Sequence, residues 1–253
     1  MTDYFDVDAV SASQLKAVYS TNYWKAQIPR KPTPAMELGT LIHTAILEPD
    51  LLYSCYTVFE GDRRTKAGRE AWNDIQAQGI KPITLEQMTM AETIAENVRQ
   101  EPHLLFDQTE NEMELFTTLM DEPAKAKIDA YDPRTKTLID VKTIADINKA
   151  QRQFWDLHYD LQLAWYEMML EKTGNPVLHV QVLFIESSAP YTMKLFDVPT
   201  GVLLAGQWKA ASAMDKLKYQ RRMNLDRPPL DIGEIEIPAW LDPALDNDKK
   251  SPF

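Results

Sequence analysis

The periodicity of apolar and polar positions divides the chain into a helical first part and a strand-rich second part. Ser11 precedes a short helical pattern over Ala12 to Val18, with Ser13 as the alternative cap. After a proline loop, "AMELGTLIHTAIL" spaces its apolar residues for a helix that must stop before Pro49. Two more helices are predicted over 66–78 and 84–100, the second opened by Thr84 and closed ahead of Pro102. From Asn111 the period shortens, and "EMELFTTLM", "KAKIDAY" and "TLIDVKT" read as three strands joined by Asp, Pro and Thr turn chemistry. A helix across "FWDLHYDLQLAWYEMMLEK" ends at Gly174 and Pro176. "VLHVQVLFIE" then reads as a central strand, "YTMKLFDV" as its antiparallel neighbour, and a last long helix starts at Pro199. This order implies an α/β chain of mixed α+β type, with a mixed central sheet flanked by helices.

No repeat or low-complexity segment interrupts the pattern, so residues 1–253 read as a single domain. Its parts are a helical N-terminal region to about residue 105, a core over about 106–225 and an extended tail over about 226–253. The linkers are "IPRKPTP" and the proline-bearing tail from Arg227.

The central hairpin carries charge where a core should not. If Pro133 to Lys136 form its loop, Asp129 lies opposite Asp140, and Lys127 opposite Lys142. Alternation then puts Ile128, Ala130, Ile139 and Val141 on one face, and Asp129, Asp140 and Lys142 on the other. Two carboxylates about 5 Å apart destabilise a sheet unless a cation lies between them. Hard oxygen donors without a His or Cys cluster favour Mg²⁺ or Mn²⁺. A solvated edge hairpin, with Lys142 in a salt bridge to either aspartate, is the rival account of the same residues.

Charge and cysteine content narrow the choices. A formal charge of −11 opposes phosphate binding in bulk, so the distribution decides, and cations gather in "GDRRTKAGR" (Arg63, Arg64, Lys66, Arg69) and "KYQRRM". A single cysteine, Cys55, excludes an intrachain disulfide, a four-cysteine zinc site and an iron–sulfur cluster within the chain. The opening "MTDYFDVDAV" lacks the features of a signal peptide, and the longest uncharged apolar run, Val177 to Ile185, is too short to span a bilayer. A cytoplasmic protein with no membrane contact is expected.

The spacing Asp129, Asp140-x-Lys142 resembles the metal-binding core of PD-(D/E)xK nucleases. "GTLIHTAILEPD" resembles the G-x-x-x-H helix of their exonuclease branch, and "RRTKAG" followed by a tryptophan resembles a segment of RecE-type exonucleases. "DLQLAWY" resembles their Q-x-x-x-Y helix, and "GEIEIPAW" the family's end. The elements occur in family order across nearly the whole chain. Two positions depart from the pattern: Ile128 replaces the proline, and the second acid is Asp140 where many members use Glu.

The resemblance implies a restriction-endonuclease-like core in a RecE-type exodeoxyribonuclease VIII of phage or prophage origin, within a bacterial host. Asp129, Asp140, His43 and an upstream glutamate, Glu112 in preference to Glu114, would hold Mg²⁺ or Mn²⁺. Lys142 would position or polarise the attacking water. Gln162 and Tyr166, one turn apart on one helix face, would touch the lysine, the phosphate or the strand. Arg63, Arg64, Lys66 and Arg69 are candidates for gripping duplex phosphates. Expected partners are double-stranded DNA ends, a single-strand annealing protein and further copies of the chain in a ring. The rival functions are a catalytically inactive DNA-binding recombination accessory and an endonuclease of the same superfamily.

Overall fold

The computed structural model describes residues 4–28 and 31–223. The tail predicted over 226–253, with its "GEIEIPAW" motif, lies outside the described residues, as do Pro29 and Arg30 of the linker. Short polar side chains open the helices by satisfying amides that have no intrahelical partner. Ser11 caps α1 (Ala12–Ser20) and Asn22 caps α2 (Tyr23–Ala26). Thr33 caps α3 (Pro34–Leu47), whose proline sits in the first turn where no donor is lost. After the one-turn α4 (Leu52–Cys55), Thr65 caps α5 (Lys66–Ala77). Thr84 and Gln87 form a reciprocal capping box at the start of α6 (Leu85–Gln100). Two strands of three residues each, β1 (Tyr56–Val58) and β2 (Lys81–Ile83), pair in parallel. They are too short for alternation to reveal them in the sequence.

The main sheet runs β3 (Glu110–Leu119), β4 (Glu122–Asp132), β5 (Thr137–Ile144), β6 (His179–Glu186) and β7 (Met193–Asp197), side by side in that order. Only β5 and β6 are parallel, and the crossover between them carries α7 (Ala150–Asp156) and α8 (Tyr159–Lys172). The long helix α9 (Thr200–Met223) follows β7 and packs on α8. A Cβ at Gly206 would lie 2.1 Å from the Asp160 carbonyl oxygen, so only glycine lets α9 approach the first turn of α8 this closely. The sheet is mixed and flanked by helices, as expected. One expectation fails: the helix predicted across residues 154–172 is two helices, because His158 is left-handed (φ 51°) and ends the hydrogen-bonding run of α7.

Two apolar clusters flank the sheet. Leu138, Ile144, Val182 and Phe184 pack with α1, α8 and α9, while Ile139, Val141, Leu183 and Ile185 pack with α3 and α6. Ile128 joins the first cluster and Ala130 the second, so the shared face expected for them is corrected. Opposite this change, on β3, Glu112 has φ 52° and the Glu112–Asp129 pair drops out of an otherwise continuous ladder. A left-handed residue in a strand turns the side-chain alternation over. Among the described residues no helix is long and apolar enough to cross a membrane.

Candidate metal and phosphate site

The β4–β5 hairpin pairs in the expected register: Asp132 with Thr137, Tyr131 with Leu138, Ala130 with Ile139. There the ladder stops. One residue further on, the Asp129 carboxylate accepts the Val141 amide at 2.8 Å, satisfying a donor that the parted main chain of β4 no longer serves. The freed edge of β4 is taken by the N-terminal segment, with the Val10 amide donating to the Pro123 carbonyl and the Lys125 amide to the Val10 carbonyl, both at 2.8 Å. The buried Lys125 ammonium holds that segment by donating to the Tyr4 and Val7 carbonyls at 2.9 and 2.7 Å. Lys127 therefore does not face Lys142 as the register alone suggested. Its ammonium reaches across to Glu112 on β3 at 2.7 Å.

Asp140 and Lys142 point into the gap. Asp140 is fully buried, and its Oδ2 meets the Lys142 ammonium at 2.5 Å. Asp129 Oδ2 lies 4.0 Å from the same ammonium, so the cation between the two aspartates belongs to the chain itself. Burial works to lower the Lys142 pKa, but Asp140 and Asp129 outweigh it and hold the group well above the ordinary lysine value. Lys142 is thus a fixed positive charge, unsuited to act as a free base near neutral pH. On α8, Gln162 Nε2 donates to Asp140 Oδ1 and to the Tyr166 hydroxyl, each at 3.1 Å. The Tyr166 phenol is pushed well above its ordinary value by burial and then by Asp140 and Asp129, which keeps it a neutral hydrogen-bonding group.

A second group of donors also converges on Asp129. His43, Glu112 and Asp129 each offer a ligand atom, and these atoms lie within 4.8 Å of one another. His43 Nδ1 is 3.8 Å from Asp129 Oδ2. α3 brings the imidazole there because Gly39, one turn earlier, lets the helix lie against β5: a Cβ at Gly39 would be 3.1 Å from Thr143 Oγ1. Burial raises the Asp129 pKa, Asp140 adds to the rise, and His43 and Lys142 oppose it. Such a carboxyl gains most from a cation that would stabilise its ionised form. One imidazole and two carboxylates in a half-buried cluster are a donor set that fits a divalent cation. Asp140 is outside this three-residue group and is engaged instead by Lys142 and Gln162.

Some predicted residues stand apart. Glu114 is exposed on β3 and does not reach the cluster, because the left-handed turn at Glu112 separates the directions of two side chains that alternation would have aligned. The basic loop before α5 is largely engaged within itself. Arg64 chelates Asp62, Lys66 pairs with Glu70, Arg63 stacks 3.9 Å from the Trp72 ring centre, and Arg69 donates to the Arg64 carbonyl. Two groups beside the site were not anticipated. Glu48, at the end of α3, has its pKa raised by burial and by Glu112, against Lys127. Lys16 on α1 donates to Gln162 Oε1 at 2.6 Å, which fixes the amide so that its NH₂ faces Asp140 and Tyr166. Nothing short-range in the sequence pairs residues so far apart.

A mixed sheet whose hairpin parts over an Asp/Asp/Lys trio, with a helical histidine beside it, is the arrangement of PD-(D/E)xK proteins. The chain belongs to the family described as the PDDEXK-like domain of unknown function (DUF3799), whose model matches residues 10–237. Among solved structures it resembles a candidate exonuclease from Eubacterium rectale, at a TM-score of 0.64 and 13% identity over 87% of this chain and 83% of the other. At that identity the likeness concerns the fold. A phage related exonuclease from Haemophilus somnus 129PT aligns at a TM-score of 0.39 and 15% identity, covering 86% of this chain and 96% of the other. No curated protein matches the sequence significantly.

Proposed function

We propose that this chain is a Mg²⁺-dependent exodeoxyribonuclease of the RecE type, which Mn²⁺ can also serve. It removes one strand of linear double-stranded DNA in the 5′ to 3′ direction and leaves single-stranded tails for recombination. The observation that carries the reading is the convergence of His43, Glu112 and Asp129 beside the Asp140–Lys142 pair, at the point where β4 and β5 part. His43, Glu112 and Asp129 would hold the metal, with Asp140 at its border; when bound, it supplies Lewis acidity toward the phosphate and a water of lowered pKa. Lys142, kept charged by its two aspartates, offsets the negative charge that builds on the phosphate. Tyr166, whose hydroxyl oxygen accepts from Gln162, would turn its O–H to the flank of the same phosphate, and Gln162 orients it together with Asp140. The protein works in the cytoplasm of a bacterial host, assembled as a ring around DNA and handing its tails to a single-strand annealing protein. A ring can turn its cations inward despite the net charge of −11.

The test uses blunt linear duplex labelled separately at its 5′ and 3′ ends, with closed circular DNA alongside. Mg²⁺-dependent release of the 5′ label first, from linear DNA only and abolished by Asp129→Asn, is the expected result. Cutting of the circle would replace the exonuclease with an endonuclease. No release with Mg²⁺ or Mn²⁺ would leave an inactive DNA-binding accessory as the better account.

A further inference from the structure

His43 and Glu112 reach the cluster from different elements, α3 and β3, so their span must be fixed if one ion is to bind both. Pairing with β4 places β3 relative to Asp129, but it does not place α3. A direct link between α3 and β3 is made by the Asn111 side chain. Its Nδ2 donates to the Leu47 carbonyl at 3.0 Å and to the Phe106 carbonyl at 2.9 Å, and its Oδ1 accepts from the Thr109 hydroxyl. Leu47 ends α3, where the last carbonyls lack an intrahelical amide to accept. Each end of the Asn111–Leu47 bond adjoins a donor of the cluster. Leu47 lies four residues after His43 on the same face of α3, and Asn111 immediately precedes Glu112. Glu112 needs such support, because a non-glycine residue keeps a φ of 52° where its surroundings hold it. Lys127 holds its carboxylate at 2.7 Å, and Asn111 anchors the chain one residue before. Asn111 is half-buried and neutral, so it can act on a cation through geometry and not through charge.

We propose that Asn111 is a positioning residue for the divalent cation: it ties the end of α3 to the start of β3 and so sets the span between the His43 imidazole and the Glu112 carboxylate. This rests on the reading of His43, Glu112 and Asp129 as the metal's donors. Groups that hold ligands in place without touching the ion account for about 10–100-fold in metal affinity. Asn111 acts one residue from one donor and one helical turn from the other, so the lower end of that range is expected. Thr109 has a supporting part, since its hydroxyl on Oδ1 keeps the NH₂ of the amide turned toward the two carbonyls.

The experiment titrates the full chain with Mn²⁺ and follows the free ion by its electron paramagnetic resonance signal, at a temperature where circular dichroism shows every variant folded. Asn111→Leu keeps a similar volume, removes both donors and should raise the Mn²⁺ Kd about tenfold. Thr109→Val leaves the amide free to turn and should raise Kd in the same direction by a smaller factor, which keeps the test available where Asn111→Leu folds poorly. In a His43→Ala background Asn111→Leu should change Kd by less than about twofold, because α3 then carries no donor to be held in place. A merely structural role would lower the melting temperature and leave the Kd of the folded variants unchanged, and that result overturns the proposal. An equal rise with and without His43 also overturns it, since Asn111 would then act on Glu112 alone. The metal reading is judged separately, by the wild type against His43→Ala. Equal Kd values there would remove the imidazole from the donors and sink both readings, whereas a Kd that responds to His43→Ala but to neither Asn111→Leu nor Thr109→Val would keep the metal site and sink the positioning role.

Discussion

Replacing Lys142 by methionine tests whether the site is held by its own cation. Asp140 is fully buried, and its two oxygens are answered by Gln162 on one side and by the Lys142 ammonium on the other. Asp129, 14% exposed at its side chain, shares that ammonium at 4.0 Å. Methionine keeps most of the side-chain volume but strands a buried carboxylate, a loss that costs about 3–5 kcal/mol when one partner of a buried pair is removed. For a chain of this size about 2–4 °C accompany each kcal/mol, so the melting temperature should fall by roughly 6–20 °C. The measurement is urea unfolding followed by tryptophan fluorescence, in EDTA so that no divalent ion substitutes for the lysine. Asp140→Asn combined with Lys142→Met removes both members of that pair and should recover part of the loss, giving a coupling of about 1–3 kcal/mol in the double-mutant cycle. A Lys142→Met protein within about 1 kcal/mol of wild type would refute the reasoning, since a buried carboxylate left with a single amide could not then be costly.

Three further outcomes follow from the same geometry. Mn²⁺ at about 100 times its dissociation constant should stabilise the wild type by about 2.7 kcal/mol, and Asp129→Asn should abolish the shift; equal shifts in a thermal melt would remove Asp129 from the metal site. Gly206→Ala places a Cβ 2.1 Å from a main-chain oxygen of α8, so α9 must move away, at a cost of about 1–3 kcal/mol measurable in urea. The His158 imidazole is held below its ordinary pKa by burial and Lys209, with Lys16 adding and Asp160 and Asp156 opposing. Its contribution is complete above the ordinary histidine pKa near 6.5 and is lost as pH falls through the lower folded value, so His158→Asn should flatten the loss of stability as pH falls below about 6.5. Parallel pH profiles for the two proteins would show that another group titrates there.

How much of this was legible in the sequence depends on the range of the forces involved. The hairpin register was legible because it is set locally by the loop from Pro133 to Lys136, and with it came the juxtaposition of Asp129, Asp140 and Lys142. The helix starts at Ser11 and Thr84 were local for the same reason: each is a side chain bonded three residues ahead. The parting of the hairpin was not legible. It depends on Val10 arriving to pair with β4 from far along the chain, and on Lys125 securing that segment by bonds to three carbonyls. Nor do the left-handed conformations at Glu112 and His158 leave any mark in the apolar pattern, although the first decides which glutamate reaches Asp129 and the second where α8 begins.

The expectation that two facing aspartates require a metal was sound in its electrostatics and incomplete in its geometry. Coulomb repulsion between them demands a nearby positive charge, but the Lys142 ammonium already supplies one at 2.5 and 4.0 Å. What remains for a divalent ion is the group that Asp129 forms with His43 and Glu112, where the other carboxylate comes from β3 and the nitrogen from α3. Asp129 therefore stands between two cation positions, one filled by the chain and one suited to a metal, while Asp140 fixes the first. This divides the roles of two aspartates that look equivalent in the sequence. Asp129→Asn should act mainly on divalent-ion affinity, read as the metal concentration giving half-maximal thermal stabilisation. Asp140→Asn should leave that concentration within about threefold of wild type and act instead on Lys142, whose removal of charge partner lowers its pKa. Equal losses of metal affinity in both variants would place Asp140 among the ligands and return the site to a single shared ion.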